Sequence, residues 1–321
     1  MAIVGYLIRR ILTGILVIWL VATAAFLLFF ARPVGTVARQ LAGKAATPQT
    51  IQEVINNLGL NQPISTQYWH FINGLVHGNL GYSYFSQEPV DSMLKQDLPA
   101  TVSLVLGGMV LWLIFGLTVG IISATRARSA FDRVSSVLVL VGLSMPTFVI
   151  GELLILWVFQ PLNQHGITWI DTGYSGITSG LSSFIGHMIL PWITLAAVQA
   201  AVYTRLSRGQ LLDVLGEDYI RTARAKGLPE RRVIFRHAVR AAMTPVISQL
   251  GVDVGTLLGG VVITESVFGL GGIGQVSVQA VFQDNLPVIV GFVIIAAIFV
   301  VVANILVDLV YAGLDPRVRI T

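Results

Sequence analysis

From Ile11 to Ala31 no residue carries a charge. Such a run is long enough to cross a bilayer, which takes roughly 20 apolar residues in a helix. Hydrocarbon supplies no hydrogen-bond partners, so a backbone entering it must satisfy its own N–H and C=O groups, and a single apolar run does this only as a helix. Runs of similar length and apolar character recur at Thr101–Thr125, Val134–Phe159, Phe184–Tyr203, Val246–Ile263 and Val288–Val310, the third run of the six carrying Glu152 and the fifth Asp253. The first follows Arg9 and Arg10, as a signal peptide would, but its apolar stretch exceeds the usual length of about 7–15 residues and no A-x-A site follows, so a retained helix is expected. Pro146 is expected to kink the third run and Pro191 interrupts the fourth.

The rest of the composition excludes function classes. Charged residues make up 11% of the chain, whereas soluble domains carry about 25%. The net charge of +4 flanks the apolar runs rather than forming one solvated patch, which argues against nucleic-acid binding. Without cysteine there are no disulfides, thiolate nucleophiles or cysteine-ligated metals, and none of the five histidines sits in a metal-ligand pattern. No G-x-x-x-x-G-K-[ST] sequence is present. Gly269-Leu270-Gly271-Gly272-Ile273-Gly274 satisfies G-x-G-x-x-G, but it follows an apolar run instead of a strand, so a tight turn is expected and not a nucleotide cradle.

With the N-terminus inside, the inner segments hold Arg9 and Arg10, then Arg126, Arg128 and Arg133, the nine basic residues from Arg205 to Arg240, and Arg317 with Arg319; that is sixteen of the 20 Lys and Arg. The outer segments hold Arg32, Arg39, Lys44 and Lys95. The bias predicts an all-α membrane protein of six transmembrane helices with both termini cytoplasmic. No internal repeat is visible, which weakens a secondary transporter built on inverted repeats. Residues 32–99 are expected as a compact extracytoplasmic cap, with a helix starting at Thr47-Pro48, a second amphipathic piece at Tyr68–Val76 and a turn at Gly78–Ser83.

The most basic loop, Glu217 to Pro245, reads as two short helices broken at Gly227-Leu228-Pro229. Tyr219, Ile220 and Ala223 give the first an apolar side; Val233, Ile234, His237, Ala238 and Ala241 give the second a stripe. Basic loops beside membrane helices commonly do no more than obey the positive-inside rule, but the ordered break between two amphipathic pieces suits a docking element.

Asp218-Tyr219-Ile220-Arg221-Thr222-Ala223-Arg224-Ala225-Lys226-Gly227, followed by Phe235-Arg236-His237-Ala238 and Pro245, resembles the cytoplasmic coupling loop of bacterial ABC-importer permeases of the oligopeptide/dipeptide family. Arg221-Thr222-Ala223 stands where the wider superfamily has Glu-Ala-Ala, which favours the peptide branch over a sugar permease. The stretches LGLNQPISTQYWHF, GNLGYSY and LPAT, and the ending from Val307 to Arg319, are similar to the B-type subunit. The resemblance implies a type I ABC-importer permease fold in the bacterial cytoplasmic membrane: a first helix (1–31), an extracytoplasmic cap (32–99) and a five-helix core (100–321) with its coupling loop at 205–243. It implies a second, C-type permease, two ABC ATPase subunits that bind ATP and Mg, an extracytoplasmic peptide-binding protein and a peptide cargo; this chain itself would be neither enzyme nor cofactor carrier. Asp218, Tyr219, Arg221, Ala223, Arg224, Gly227, Glu230, Phe235, Arg236 and His237 would meet the ATPases. Glu265, Phe268, Gly271 and Gly274 would close the outer end of the pathway. Tyr68, Trp69, Tyr82 and Tyr84 would meet the binding protein, unless the cap is a purely structural lid.

Two carboxylates fall at membrane depth, where a charge costs about 2.5–3.5 kcal/mol on insertion scales. Asp253, with Gln249 one turn earlier, is expected either to face the translocation cavity or to make a structural hydrogen bond. Glu152 is either protonated beside lipid or paired across a subunit interface. Other cargoes (nickel chelates, haem or glutathione) fit the same machine; an ATP-independent carrier would have no use for a structured loop, and an intramembrane enzyme finds thin support in one Asp and one Glu on different helices.

Overall fold

The structure, a computed structural model, describes residues 2–30, 35, 38–39, 47–57 and 59–314. Ala31, Arg32, Pro33, Lys44, Leu58 and the C-terminal stretch with Arg317 and Arg319 lie outside the described residues. Among the described residues the chain is helical, with one isolated bridge between Tyr82 and Pro89. It divides into two compact units, Ile3–Pro99 with Gly272–Val302 and Ala100–Gly271 with Ala303–Thr321.

In the first unit, α1 (Ala2–Phe30) carries the first apolar run. Thr47 starts α2 (Pro48–Asn57) by accepting the Thr50 N–H at 3.2 Å. On α3 (Ile64–Val76), the Tyr68 hydroxyl lies 2.8 Å from Thr23 Oγ1 while its ring meets Phe26 edge-on at 5.1 Å. The turn expected at Gly78–Ser83 is present, and buried Asn285 fixes it, accepting the Tyr84 N–H at 3.1 Å and donating to Ser83 Oγ at 2.8 Å. Val90 and Leu94, from the start of α4 (Val90–Thr125), pack with Ile273 and Ala280 of α10 (Ile273–Phe282) and Val288 of α11 (Leu286–Leu314).

In the second unit, α5 (Ala130–Ser144) and α6 (Thr147–Gln164) meet at 104°. The break lies where expected, because Pro146 denies the helix an N–H and holds extended ψ at 143°. α7 (Leu181–Leu215) runs twelve residues beyond Tyr203, the expected end of its span. α8 (Asp218–Ala225) follows, and then Glu230–Arg232 and a π turn at Val233–Ala238 lead without a break into α9 (Val239–Phe268). The second short helix is therefore the first turns of a long one. α9 also continues past Ile263, since nothing stops it before Gly269, whose φ of +62° ends the helix; Glu265 and Phe268 thus sit on the helix and not in a connection.

Among the described residues four helices are long and apolar enough to cross a membrane, Ile8–Leu28, Val90–Thr125, Leu181–Leu215 and Leu286–Val307, and up to six spans result if each of two bent pairs counts as one.

Candidate functional site

The charged segment between α7 and α9 has a buried underside and a polar top. Ile220 is fully buried and Ala223 nearly so, packed with Ala124, Leu211, Val233, Ala238 and Ala242. Tyr219, expected on this apolar side, is instead about half exposed, 47%. Its partial desolvation, with the Glu217 charge nearby, raises its pKa above the usual tyrosine value. In the second piece the expected stripe is displaced. Val233 and Ala238 are buried and Ile234 and His237 half-buried, but Ala241 is exposed and Ala242 takes the interior place. The π turn is the cause, since an extra residue in that turn advances every later position around the helix.

The break between the pieces is built from three features. Gly227 adopts φ +75°, and its N–H donates to Arg224 O at 2.9 Å. Pro229 then opens the next helix in extended conformation. Across the gap the Arg224 guanidinium is bidentate on Glu230, Nε to Oε2 at 3.1 Å and Nη2 to Oε1 at 2.7 Å. That pairing holds the Glu230 carboxyl below its ordinary range and keeps Arg224 more firmly charged. Beside it, Pro229, Arg231, Arg232, Phe235 and Arg236 line a shallow depression, with Phe235 59% exposed. Asp218 and Arg221 pair at 3.3 Å on the exposed face. Ala223 and Gly227 thus shape the segment, while Asp218, Tyr219, Arg221, Arg224, Glu230, Phe235 and Arg236 present surface and His237 stands half-buried.

A second polar cluster adjoins the buried underside. Asp132 on α5 is 4% exposed and receives Arg208 Nε at 2.6 Å, Arg208 Nη2 at 2.9 Å, the Arg128 N–H at 2.8 Å and the Ser123 hydroxyl. Sequence reading passed over it. The available signal was Ser129-Ala130-Phe131-Asp132, a helix-start pattern in which Ser129 does cap α5; nothing local points to Arg208, which is far away in sequence.

The remaining candidates are dispersed. Gln249 Nε2 donates to Asp253 Oδ1 at 2.7 Å, and Asp253 is 7% exposed, lying near the buried Tyr203 hydroxyl. Glu152 is exposed on α6, next to Gly151, which packs closely on Val267 and Thr194. Glu265 is fully buried and accepts from Thr101. Phe268 is buried and its carbonyl accepts the Gly173 N–H at 2.9 Å. Gly271 has φ +64°, and Gly274 accepts the Ser277 hydroxyl at 2.7 Å. The G-x-G-x-x-G run is a turn leading into α10, with no strand before it. Of the four aromatic residues expected to meet a binding protein, Trp69 and Tyr82 are 68% and 57% exposed, Tyr68 is half-buried, and Tyr84 at 6% belongs to the interior, because the Ser83–Asn285 contact draws its backbone inward.

Residues 116–320 match the family described as "Binding-protein-dependent transport system inner membrane component", and residues 3–105 match the N-terminal region of such membrane components. The chain belongs to this family. This transport-system component is 36% identical over 315 residues to a probable peptide ABC transporter permease of Sinorhizobium fredii, covering 98% of this chain and 99% of that one. It is 38% identical, with the same coverage, to a glutathione transport system permease of Escherichia coli. It is 37% identical to the dipeptide transport system permease of Escherichia coli over 86% of this chain and 87% of the other. It is a permease of the inner membrane, and the charged segment, the Asp132 cluster and the Asp253 pair all lie inside the longer family match.

Proposed function

We propose that this permease is the B-type transmembrane subunit of an ATP-driven importer of di- and oligopeptides. Its nearly full-length similarity to peptide and dipeptide permeases supports the cargo class. The basic-residue distribution supports six spans with both termini cytoplasmic, arranged as a first helix (1–31), an extracytoplasmic cap (32–99) and a core (100–321) whose coupling loop is 205–243. A second, C-type permease completes the pathway, two ABC ATPases carry ATP and Mg, and an extracytoplasmic binding protein delivers peptide.

One observation carries the coupling role: the 217–240 segment buries its apolar side in the core while a braced, charged face with Phe235 at its centre stays open. A solvated loop that only obeyed charge bias would need neither the Gly227 turn nor the bidentate brace. Closure of the ATPases displaces this segment and turns the spans between inward- and outward-facing arrangements. Arg224 and Glu230 keep its shape; Asp218, Tyr219, Arg221, Phe235, Arg236 and His237 make the contact. At the other end Glu265, Phe268, Gly271 and Gly274 form the outer closure, and Trp69 and Tyr82, with Tyr68 behind them, offer surface to the binding protein. Asp253 with Gln249, and Glu152, are the polar groups of the pathway.

Purification of the chain with its native partners tests this reading. A second permease and an ATPase pair should co-purify, with hydrolysis stimulated by peptide-loaded binding protein. A chain that comes out alone and still transports excludes it. Glutathione is a second reading, favoured by the similarity to the glutathione permease; direct binding of glutathione against dipeptides to the cognate binding protein separates the two.

A further inference from the structure

The buried underside of the charged segment is continuous with a helix seam. Gly116, Gly120 and Ala124 stand one turn apart on α4, facing Tyr203, Ser207 and Leu211, also one turn apart on α7 and all three buried. A Cβ at Gly116 would meet Tyr203 Cβ at 2.7 Å, and one at Gly120 would collide with Ser207 Oγ. The two backbones therefore touch, as small residues at four-residue spacing allow in membranes, and Ser207 Oγ reaches the Gly116 carbonyl at 3.3 Å. Where the seam meets the segment, Asp132 adds α5. Its carboxylate holds Arg208 of α7 in a two-point grip, takes the Ser123 hydroxyl from α4, and Ser123 lies 3.1 Å from Ser135 Oγ of α5. Leu211, one turn from Arg208 along α7, is in the same buried cluster as Ile220, Val233 and Ala238.

We infer that Asp132 is a positioning residue for transport: with Arg208 and Ser123 it latches the ends of α4, α5 and α7 into one block, so that displacement of the 217–240 segment moves three helices together. The inference rests on the coupling role proposed above. A fork-shaped guanidinium on a buried carboxylate fixes direction as well as distance, which a single contact does not. In this role Asp132 acts through the 217–240 segment rather than on cargo or ATP.

The test uses the whole assembly in proteoliposomes, with uptake and ATP hydrolysis measured on the same preparation. Asp132→Asn is expected to assemble and hydrolyse ATP while uptake per ATP falls at least about tenfold, as expected for a partner lost from a coupled network. A variant with lower yield or Tm but unchanged uptake per ATP overturns the inference, because a merely structural role would give that result. If Asp132→Asn does not assemble, a cross-link decides. The chain has no cysteine, and a Cβ at Gly142 of α5 would stand 3.1 Å from Ala201 Cβ of α7, near disulfide spacing and about 15 Å along α5 from Asp132. With Gly142→Cys and Ala201→Cys oxidised, uptake stays at about half or more of the reduced level if the helices move as a block; uptake that is lost on oxidation and restored by reductant overturns it. Phe235→Ala, run alongside, reports on the coupling reading alone. If its ATPases stay bound and stimulation is unchanged, that reading fails whatever Asp132→Asn does.

Discussion

Thr101 Oγ1 donates to Glu265 Oε1 at 2.5 Å, and both side chains are buried. One hydrogen bond thereby ties α4 to the last turn of α9, beside the proposed outer closure. Thr101→Val removes the donor but keeps the shape, leaving a buried carboxylate short of a partner. The expected cost is about 1–3 kcal/mol, read as a lower unfolding temperature of the purified protein, whereas Glu265→Gln, which keeps an acceptor oxygen toward Thr101, should lose less.

Gly227 adopts φ +75°, a conformation that costs an L-residue about 1–2 kcal/mol. Nothing stands within 4 Å of a Cβ there, so Gly227→Ala meets only that backbone cost and should weaken ATPase stimulation partially. Gly227→Pro cannot reach the conformation, because the ring fixes φ near −65°, and it also removes the N–H given to Arg224 O. Stimulation by loaded binding protein should vanish in that variant.

The Arg224–Glu230 brace is exposed, 42% and 55%, so its contribution should be small, about 0.2–1 kcal/mol in a double-mutant cycle. Its pH dependence has a definite sign. Glu230 is depressed below 4.5 in the folded chain, so the unfolded chain binds the proton first as pH falls. The contribution is complete above 4.5 and disappears as pH drops through the folded value. The cycle repeated at neutral and acid pH checks this; a coupling that grows on acidification contradicts the geometry.

Trp69 is 68% exposed, so Trp69→Ala should leave folding within about 0.5 kcal/mol of the parent. Affinity for the binding protein should fall, measured by titration onto permease in nanodiscs. Unchanged affinity would make the 47–89 segment a lid rather than a dock.

Asp253→Asn keeps the hydrogen bond from Gln249 within reach but removes the charge. Altered uptake or substrate range is expected if the pair serves the pathway, and Glu152→Gln should act likewise without changing stability, because Glu152 is exposed. Normal uptake and range in Asp253→Asn would leave that carboxylate a structural group.

The sequence alone determined the helical membrane class, the break at Pro146, the turn at Gly227 and the membership of the charged segment in its family, because each rests on local physics: apolar length against bilayer thickness, a missing N–H, a positive φ. Tertiary structure decided what depends on partners distant in the chain. Ala242 replaces Ala241 inside because a π turn, invisible to a 3.6-residue period, rotates the helix that follows it. Tyr84 is interior because Asn285, some two hundred residues later, holds its backbone. The local sequence at Asp132 carries no more than a helix-start pattern, and α7 brings Arg208 across to it; a two-point ion pair between residues 76 positions apart is set by how helices pack, which no local pattern encodes.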